Sequence, residues 1–452
     1  MSKQIIIVGG GISGLALLHY LKVKYYFQED IVIRLLEKND YAGGTIRTIA
    51  KDGCLFEMGP NGFLNINPRT LQLINDVHLT RNLIEAKKDS KLRFIYQKGR
   101  LYPLPSDPLS FLNSPLLNPF DKIRILFEPF IFKKNNPHET IYDFGKRRFG
   151  QKAANLFIDP MISGIYGGDA KRINFKAAFP KVYAMEQESG SVIKALIKGG
   201  KKDKGRIPKA LFSFFNGMSE LVHTISNRYQ DDIQLNQDVK MISTHQNRYI
   251  VHANDKQYTA DELFICTPAF QAASLFKKFD ATLAEQLEQI NYVPMIVVGL
   301  MYSEKAFKNL PKGYGYLIPS AQKKEILGVL VESNIFTNRC VPGQIVFRVM
   351  IGGGRFPDIL KKSEEELVAL AINEIKSTYE TLGNPKTIFF TGWSKAIPQY
   401  DGNYVLFKDY WQAHQIKSKN LHLVANYLEG VSFNDCIENA YQAAVKSSLN
   451  TH

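Results

Sequence analysis

Apolar positions follow two rhythms along the 452-residue chain. Short unbroken runs rich in β-branched or aliphatic residues, Ile5–Val8, Ile31–Leu36 and Leu263–Ile265, predict buried strands. Further strand-like runs occur at Ile296–Leu300, Ile326–Leu330 and Ile345–Val349. Leu92–Pro105 reads as a hairpin turning at Lys98-Gly99. Helical spacing takes over from Glu364 to Thr381. It also marks Ile141–Phe149, stopped by Gly150. Asp107 to about Arg206 is helical in character, with mixed aromatic and basic patches. A last strand near Leu421–Leu423 precedes a C-terminal helix with Asn434 or Asp435 as its N-cap and an end near Ser448. The expected fold class is α/β plus α+β. A chain of this length divides into two or three domains.

The first strand runs into Gly9-Gly10-Gly11-Ile12-Ser13-Gly14, with Gly9, Gly11 and Gly14 at GxGxxG spacing. Gly9 permits a tight turn, Gly11 lets backbone approach a pyrophosphate, and Gly14 allows close helix–strand packing. The N–H groups at the helix start then face phosphate, aided by the helix dipole. Glu37, with Lys38 after it, ends the second strand, where a carboxylate would take ribose hydroxyls. The interval from Gly11 to Glu37 exceeds the usual spacing, and Lys24–Asp30 reads as the extra loop. A second glycine pair, Gly43-Gly44, followed by Thr45 and Arg47, offers another close approach to phosphates. A plain NAD half-site has no need of that pair.

Charge adds one constraint. The formal net charge is +14 and the pI about 9.3, which favours an anionic partner: nucleic acid, an acidic lipid surface or a carboxylated substrate. No segment resembles a nucleic-acid module, so no nucleic acid is expected. Aromatics beside cations in Phe127–Lys134, and the basic run Lys198–Arg206, suit an in-plane contact with an anionic membrane surface. No run reaches the roughly 20 apolar residues of a transmembrane helix. Cys54, Cys266, Cys340 and Cys436 are scattered without metal-ligand or disulfide-framework spacing and read as buried reduced thiols. The nine histidines are dispersed too, and no metal is expected.

The ordered set Gly9–Gly14, Glu37 and Gly43–Arg47 resembles the FAD-binding signature of the flavin amine oxidase superfamily. Two further stretches, Cys54–Leu64 with Gly59-Pro60-Asn61-Gly62, and Pro160–Asp169 running on to Pro180, are similar to its oxygen-dependent protoporphyrinogen oxidases and coproporphyrinogen III oxidases. The resemblance implies a Rossmann-type FAD domain (residues 1–80, 207–269 and 402–452). It further implies a mixed α+β substrate domain (81–106 and 270–401) and a helical, membrane-associated domain (107–206). It puts the Gly59–Gly62 turn, Val239, Trp393, Gly430 and Val431 beside the cofactor. It puts Arg93 on a substrate propionate, Tyr314 (where Phe is more usual) on the macrocycle, and the Gly167-Gly168 turn along the substrate pocket. The C-terminal helix would point its positive end at the flavin.

The implied reaction is FAD-dependent oxidation of protoporphyrinogen IX to protoporphyrin IX with molecular oxygen, yielding hydrogen peroxide, late in heme biosynthesis. Hydride goes to the flavin, and no general base is assigned. Coproporphyrinogen III oxidation to coproporphyrin III is the nearest alternative; a flavin amine oxidase and a non-catalytic porphyrin-binding flavoprotein are more distant ones. The implied location is cytoplasmic, with a peripheral contact at the cytoplasmic membrane face left open, as is monomer versus homodimer.

Overall fold

The computed structural model describes residues 2–202, 209–381, 383–415, 420–447 and 449. The basic run lies partly outside them, from Asp203 to Arg206, as does Ser448.

The unbroken apolar runs form a five-stranded parallel sheet in the order Ile233–Gln234, Ile31–Leu36, Lys3–Val8, Glu262–Ile265, Leu421–Leu423. Ile5 lies between Ile33 and Glu262 in register. Each face is covered: Ile5, Ile7, Leu15, Leu18 and Phe264 pack in one core, and Ile6, Val8, Leu263 and Ile265 in another. Burial on both faces is why these strands carry no alternation. Helix Ile12–Lys24 continues to the loop expected at Lys24–Asp30. The segment from Val239 to Ala260 adds a three-stranded antiparallel meander.

The second body is a seven-stranded sheet ordered Thr387–Pro398, Tyr292–Ser303, Gln344–Gly352, Ile326–Val331, Gly315–Leu317, Arg93–Gln97, Arg100–Pro103. The hairpin at Lys98-Gly99 forms as expected. The sheet is two-faced by alternation, interrupted by irregularities at Val293–Met295 and Ile326–Gly328. Val298, Leu300, Phe347, Val349 and Ile351 pack on one side with Leu367, Ala371 and Ile375 of helix Glu364–Tyr379. Val297, Arg348 and Met350 point to the other.

Helices Pro108–Asn113, Pro119–Leu126, Ile141–Phe149, Asp159–Tyr166, Pro180–Ser189 and Val192–Lys202 form the third body. A π-helical segment, Ala154–Ile158, precedes Asp159–Tyr166. No helix among the described residues is long and apolar enough to cross a membrane.

Two expectations are corrected. Cys54 and Cys340 are joined in a disulfide, because an antiparallel bridge sets them opposite each other across 286 residues. Linear spacing cannot register such a pairing. Cys266 and Cys436 are the buried free thiols, and burial pushes the Cys436 thiol up to about 12. The C-terminal helix is Phe433–Lys446, and its N-cap is Ser432, not Asn434 or Asp435. Ser432 and Asp435 form a capping box. Asn434 instead accepts from the Thr70 hydroxyl (2.9 Å) and donates to the Leu64 carbonyl (2.8 Å).

Candidate functional site

The three glycines of the first turn face three different surroundings. Gly9 has φ +107°, and a Cβ on Gly14 would stand 2.0 Å from the Gly9 carbonyl oxygen. At Gly11, by contrast, an added Cβ meets nothing within 4 Å. The glycine motif therefore combines a turn, a close contact and an open cradle. Gly11 is the N-cap of helix Ile12–Lys24, with no side-chain cap and no acidic residue in the first turn. That helix end offers its Ile12, Ser13 and Gly14 N–H groups to an anion without internal competition. These features fit a pyrophosphate.

Gly43 bonds to the Gly10 carbonyl (2.7 Å) and pairs with Gly11, so the second glycine pair lies against the first turn. Thr45 and Arg47 are exposed, and the Arg47 guanidinium sits 4.4 Å from the Tyr41 ring centre. Glu37 is buried: it accepts from the Gly10 N–H at 2.7 Å and from the Asn39 N–H at 2.9 Å. It thereby holds the glycine turn to the end of the second strand. Lys38 is exposed beside it.

Segment Cys54–Gly62 then passes from the glycine pair to the seven-stranded sheet. A Cβ on Gly59 would stand 2.3 Å from the Thr45 carbonyl. At Gly62 it would meet the Phe212 carbonyl at 2.6 Å and the Phe336 ring at 3.0 Å, so a larger residue has no room. Glu57 is buried and accepts from the Met218 N–H (2.9 Å) and the Thr48 hydroxyl (2.8 Å). Burial pushes its carboxyl up to about 7, partly countered by Arg339 at 3.9 Å.

Of the substrate-side candidates, Arg93 stands on a row that crosses the sheet. Register places Arg93 opposite Gly315, Gly315 opposite Leu330, Leu330 opposite Arg348, and Arg348 opposite Gly299. The Arg93 guanidinium lies 4.8 Å from the centre of the Tyr314 ring, bringing two of the four predicted substrate contacts together. Burial raises the Tyr314 hydroxyl above its ordinary range, so it stays protonated. Tyr314 packs against Leu330, Ile335 and Phe336 with Met350, which also packs on Met295, Val297 and Leu327. The result is an apolar wall with a cation at its edge.

The other predicted residues are dispersed around this frame. Gly167 ends helix Asp159–Tyr166 in the left-handed region. The structure surrounds the Gly167-Gly168 turn closely: a Cβ on Gly167 would stand 2.7 Å from Met295 Cε, and one on Gly168 2.3 Å from Gln399 Oε1. Trp393 pairs with Met295 on the outer strand and is half-buried. Val239 is buried where its strand begins. The Gly430 N–H donates to the Tyr400 hydroxyl (2.7 Å), next to Val431 and the C-terminal helix.

Reading the sequence alone missed Glu57, Glu332, Arg339, Arg348 and Met350. One signal was available: Arg348 interrupts an otherwise apolar strand, and a charge at such a position is rarely buried without a partner.

The family model for flavin containing amine oxidoreductases matches residues 12–446. Protoporphyrinogen oxidase 1, chloroplastic, of Spinacia oleracea is 29% identical over 470 residues, covering 98% of this chain and 83% of its own. Protoporphyrinogen oxidase of Bos taurus is 28% identical over 482 residues, covering 99% and 98%. A solved structure from Exiguobacterium sp. 255-15, provisionally assigned as a protoporphyrinogen oxidase, superposes with a TM-score of 0.83 at 22% identity, covering 98% of each chain. With a family match across nearly its whole length, the chain belongs to the flavin containing amine oxidoreductases and is an oxidoreductase whose cofactor is FAD.

Proposed function

We propose that this chain oxidises protoporphyrinogen IX to protoporphyrin IX, a late step of heme biosynthesis, with molecular oxygen as acceptor and hydrogen peroxide as by-product. The observation that carries the reading is the Arg93–Tyr314 pair at the edge of an apolar sheet face whose Arg348 reaches the Gly59 carbonyl. A porphyrinogen presents the matching chemistry: a broad apolar macrocycle with carboxylates at its rim.

In this reading the parallel sheet and its glycine turns are a Rossmann-type FAD domain. The open cradle at Gly11 and the N–H groups of Ile12 and Ser13 hold the pyrophosphate, with Gly10, Gly43, Gly44, Thr45 and Arg47 alongside. Glu37 and Lys38 lie at the ribose, Val239 at the adenine, and Gly59–Gly62, Trp393, Gly430 and Val431 at the ring system. FAD held there would supply the hydride acceptor. Arg93 pairs bidentately with a propionate and keeps its charge when desolvated. Tyr314 lies against a pyrrole ring, and Leu330 and Met350 exclude water from the same face.

The helical body is read as a peripheral membrane contact on a cytoplasmic protein. Phe120, Phe130 and Phe132 are 82%, 75% and 91% exposed beside Lys122, Lys133 and Lys134. An apolar cavity of about 350 Å³ in this body is lined by Leu104, Phe111, Ile125, Phe149 and Phe157. The Leu104 N–H bonds to the Arg93 carbonyl (2.7 Å), so the cavity adjoins the strand bearing the substrate cation. A poorly water-soluble porphyrinogen suits such an entrance.

The test is a pair of porphyrin-fluorescence assays on flavin-loaded protein under air, with protoporphyrinogen and coproporphyrinogen supplied separately. A higher kcat/KM for protoporphyrinogen supports the reading, and the reverse moves it to coproporphyrinogen. Neither rising above the enzyme-free rate ends it. Arg93→Ala should raise KM at least tenfold, roughly one charge-assisted hydrogen bond of about 1.5–3 kcal/mol, with Arg93→Lys in between.

A further inference from the structure

Segment Cys54–Asn61 is fastened to the substrate sheet at intervals. After the Cys54–Cys340 disulfide, Glu57 faces Arg339 at 3.9 Å and the Gly59 carbonyl accepts from Arg348. The Asn61 side-chain amide donates to Glu332 Oε2 at 3.5 Å. The last two partners also face each other, with Arg348 Nη1 3.8 Å from Glu332 Oε1. Both side chains are buried, yet Arg348 Nε and Glu332 Oε1 have no hydrogen-bond partner.

An ion pair this loose is a weak source of stability. Desolvation of two charges is repaid only by close, fully hydrogen-bonded geometry, and an apolar pair of similar volume often packs at least as well. What the pair does supply is direction. Arg348 holds a backbone carbonyl at residue 59, and Glu332 holds a side-chain amide two residues later. Both arise from the sheet that carries Arg93: Arg348 stands on the Arg93 row, and Glu332 follows the end of strand Ile326–Val331. The seam therefore refers the Gly59–Asn61 turn to the substrate face.

We propose that Arg348 and Glu332 form a positioning pair, dispensable for folding, that sets the Gly59–Asn61 turn and through it the seating of the flavin ring relative to the substrate. The flavin half of this claim rests on the placement of that turn beside FAD, and the substrate half on the porphyrinogen reading above.

The experiment compares Glu332→Leu/Arg348→Met, Glu332→Gln and Arg348→Lys with the parent holoenzyme. Three quantities are read: apoprotein Tm, the visible spectrum and occupancy of bound FAD, and the rate of anaerobic flavin reduction by protoporphyrinogen in a single turnover. The double variant should fold with a Tm within a few degrees of the parent and bind FAD. Its flavin bands should shift, and its reduction should slow at least tenfold. Glu332→Gln, which leaves the buried Arg348 charge without its partner, should slow reduction at a lowered Tm, and Arg348→Lys should recover part of the rate lost in the double variant.

A double variant with parental spectrum and rate reduces the pair to packing and overturns the proposal. Failure of the double variant to fold overturns it as well, since the pair is then a stability element. If the parent itself is not reduced by any porphyrinogen, the substrate reading has failed. The spectral arm, which needs no substrate, still decides whether the pair positions the flavin.

Discussion

The parallel sheet with its glycine turn and the helical body of residues 108–202 both pack apolar cores, but they differ in the surface each presents. Around the sheet, apolar side chains are inside and the functional surface is bare backbone, with Gly11 left open and Gly14 pressed onto Gly9. The helical body buries charges beside an apolar core that includes Ile141, Phe144, Ile162 and Phe175. Arg148, Glu128 and Glu186 are fully buried, with Arg148 bonded to both carboxylates. Glu128 also accepts from the Val192 N–H (3.1 Å), at the start of helix Val192–Lys202. Phe127 and Phe130, flanking Glu128, point outward. Burying a paired charge between two exposed aromatics fixes a water-facing apolar edge that would otherwise collapse inward. The first region recognises a ligand by leaving backbone uncovered; the second makes a surface by spending its ion pairs on scaffolding.

The contrast predicts unequal responses to substitution. The largest effect is expected at Gly14: Gly14→Val places carbon against backbone and should abolish FAD binding and the folded state, read by flavin absorbance and circular dichroism. Gly11→Ala, in open space, should leave the apoprotein Tm unchanged while weakening FAD binding at least tenfold, about 1.4 kcal/mol. Equal loss of Tm in both variants would erase the distinction between packing and cradle. Next comes Arg148→Met, which strands two buried carboxylates and should remove about 3–5 kcal/mol in urea unfolding.

Glu57 gives a pH signature for the region between. Its carboxyl titrates near 7 when folded, against an ordinary value of 4.5, so the native state binds the extra proton between those values. Stability from this group is therefore present below about pH 4.5 and lost as pH rises through 7. Glu57→Gln should flatten that fall, which in the parent amounts to up to about 3 kcal/mol between pH 4.5 and 8. A parallel pH dependence in the two proteins would contradict it. The smallest stability effect is expected on the aromatic edge: Phe130→Ser with Phe132→Ser should change unfolding free energy by no more than about 0.5 kcal/mol. The same pair should sharply reduce co-sedimentation with anionic vesicles.

Legibility followed sequence distance. The strand Lys3–Val8, the glycine turn, Glu37 and the hairpin around Lys98 were readable, because each rests on residues within one turn or strand. Arg93 and Tyr314 were picked out, each by itself, only through family resemblance; that they meet is a finding of the structure, through a parallel pairing of two strands more than 200 residues apart. The capping residue of the last helix was misplaced by two or three positions, since Ser432, Asn434 and Asp435 are all good caps. Long-range hydrogen bonds to Thr70 and Leu64 occupy Asn434.

By itself the sequence determined local geometry: where backbone turns tightly, which runs are buried on both faces, and where the helix after the glycine turn begins. Those are consequences of side-chain size and periodicity acting over a few residues. The tertiary structure alone decided which distant groups meet. It joined Cys54 to Cys340, lined Arg93 up with Arg348, and set Glu332 against Asn61. Such contacts depend on strand register and sheet order, and the free energy that selects these comes from burying whole faces at once.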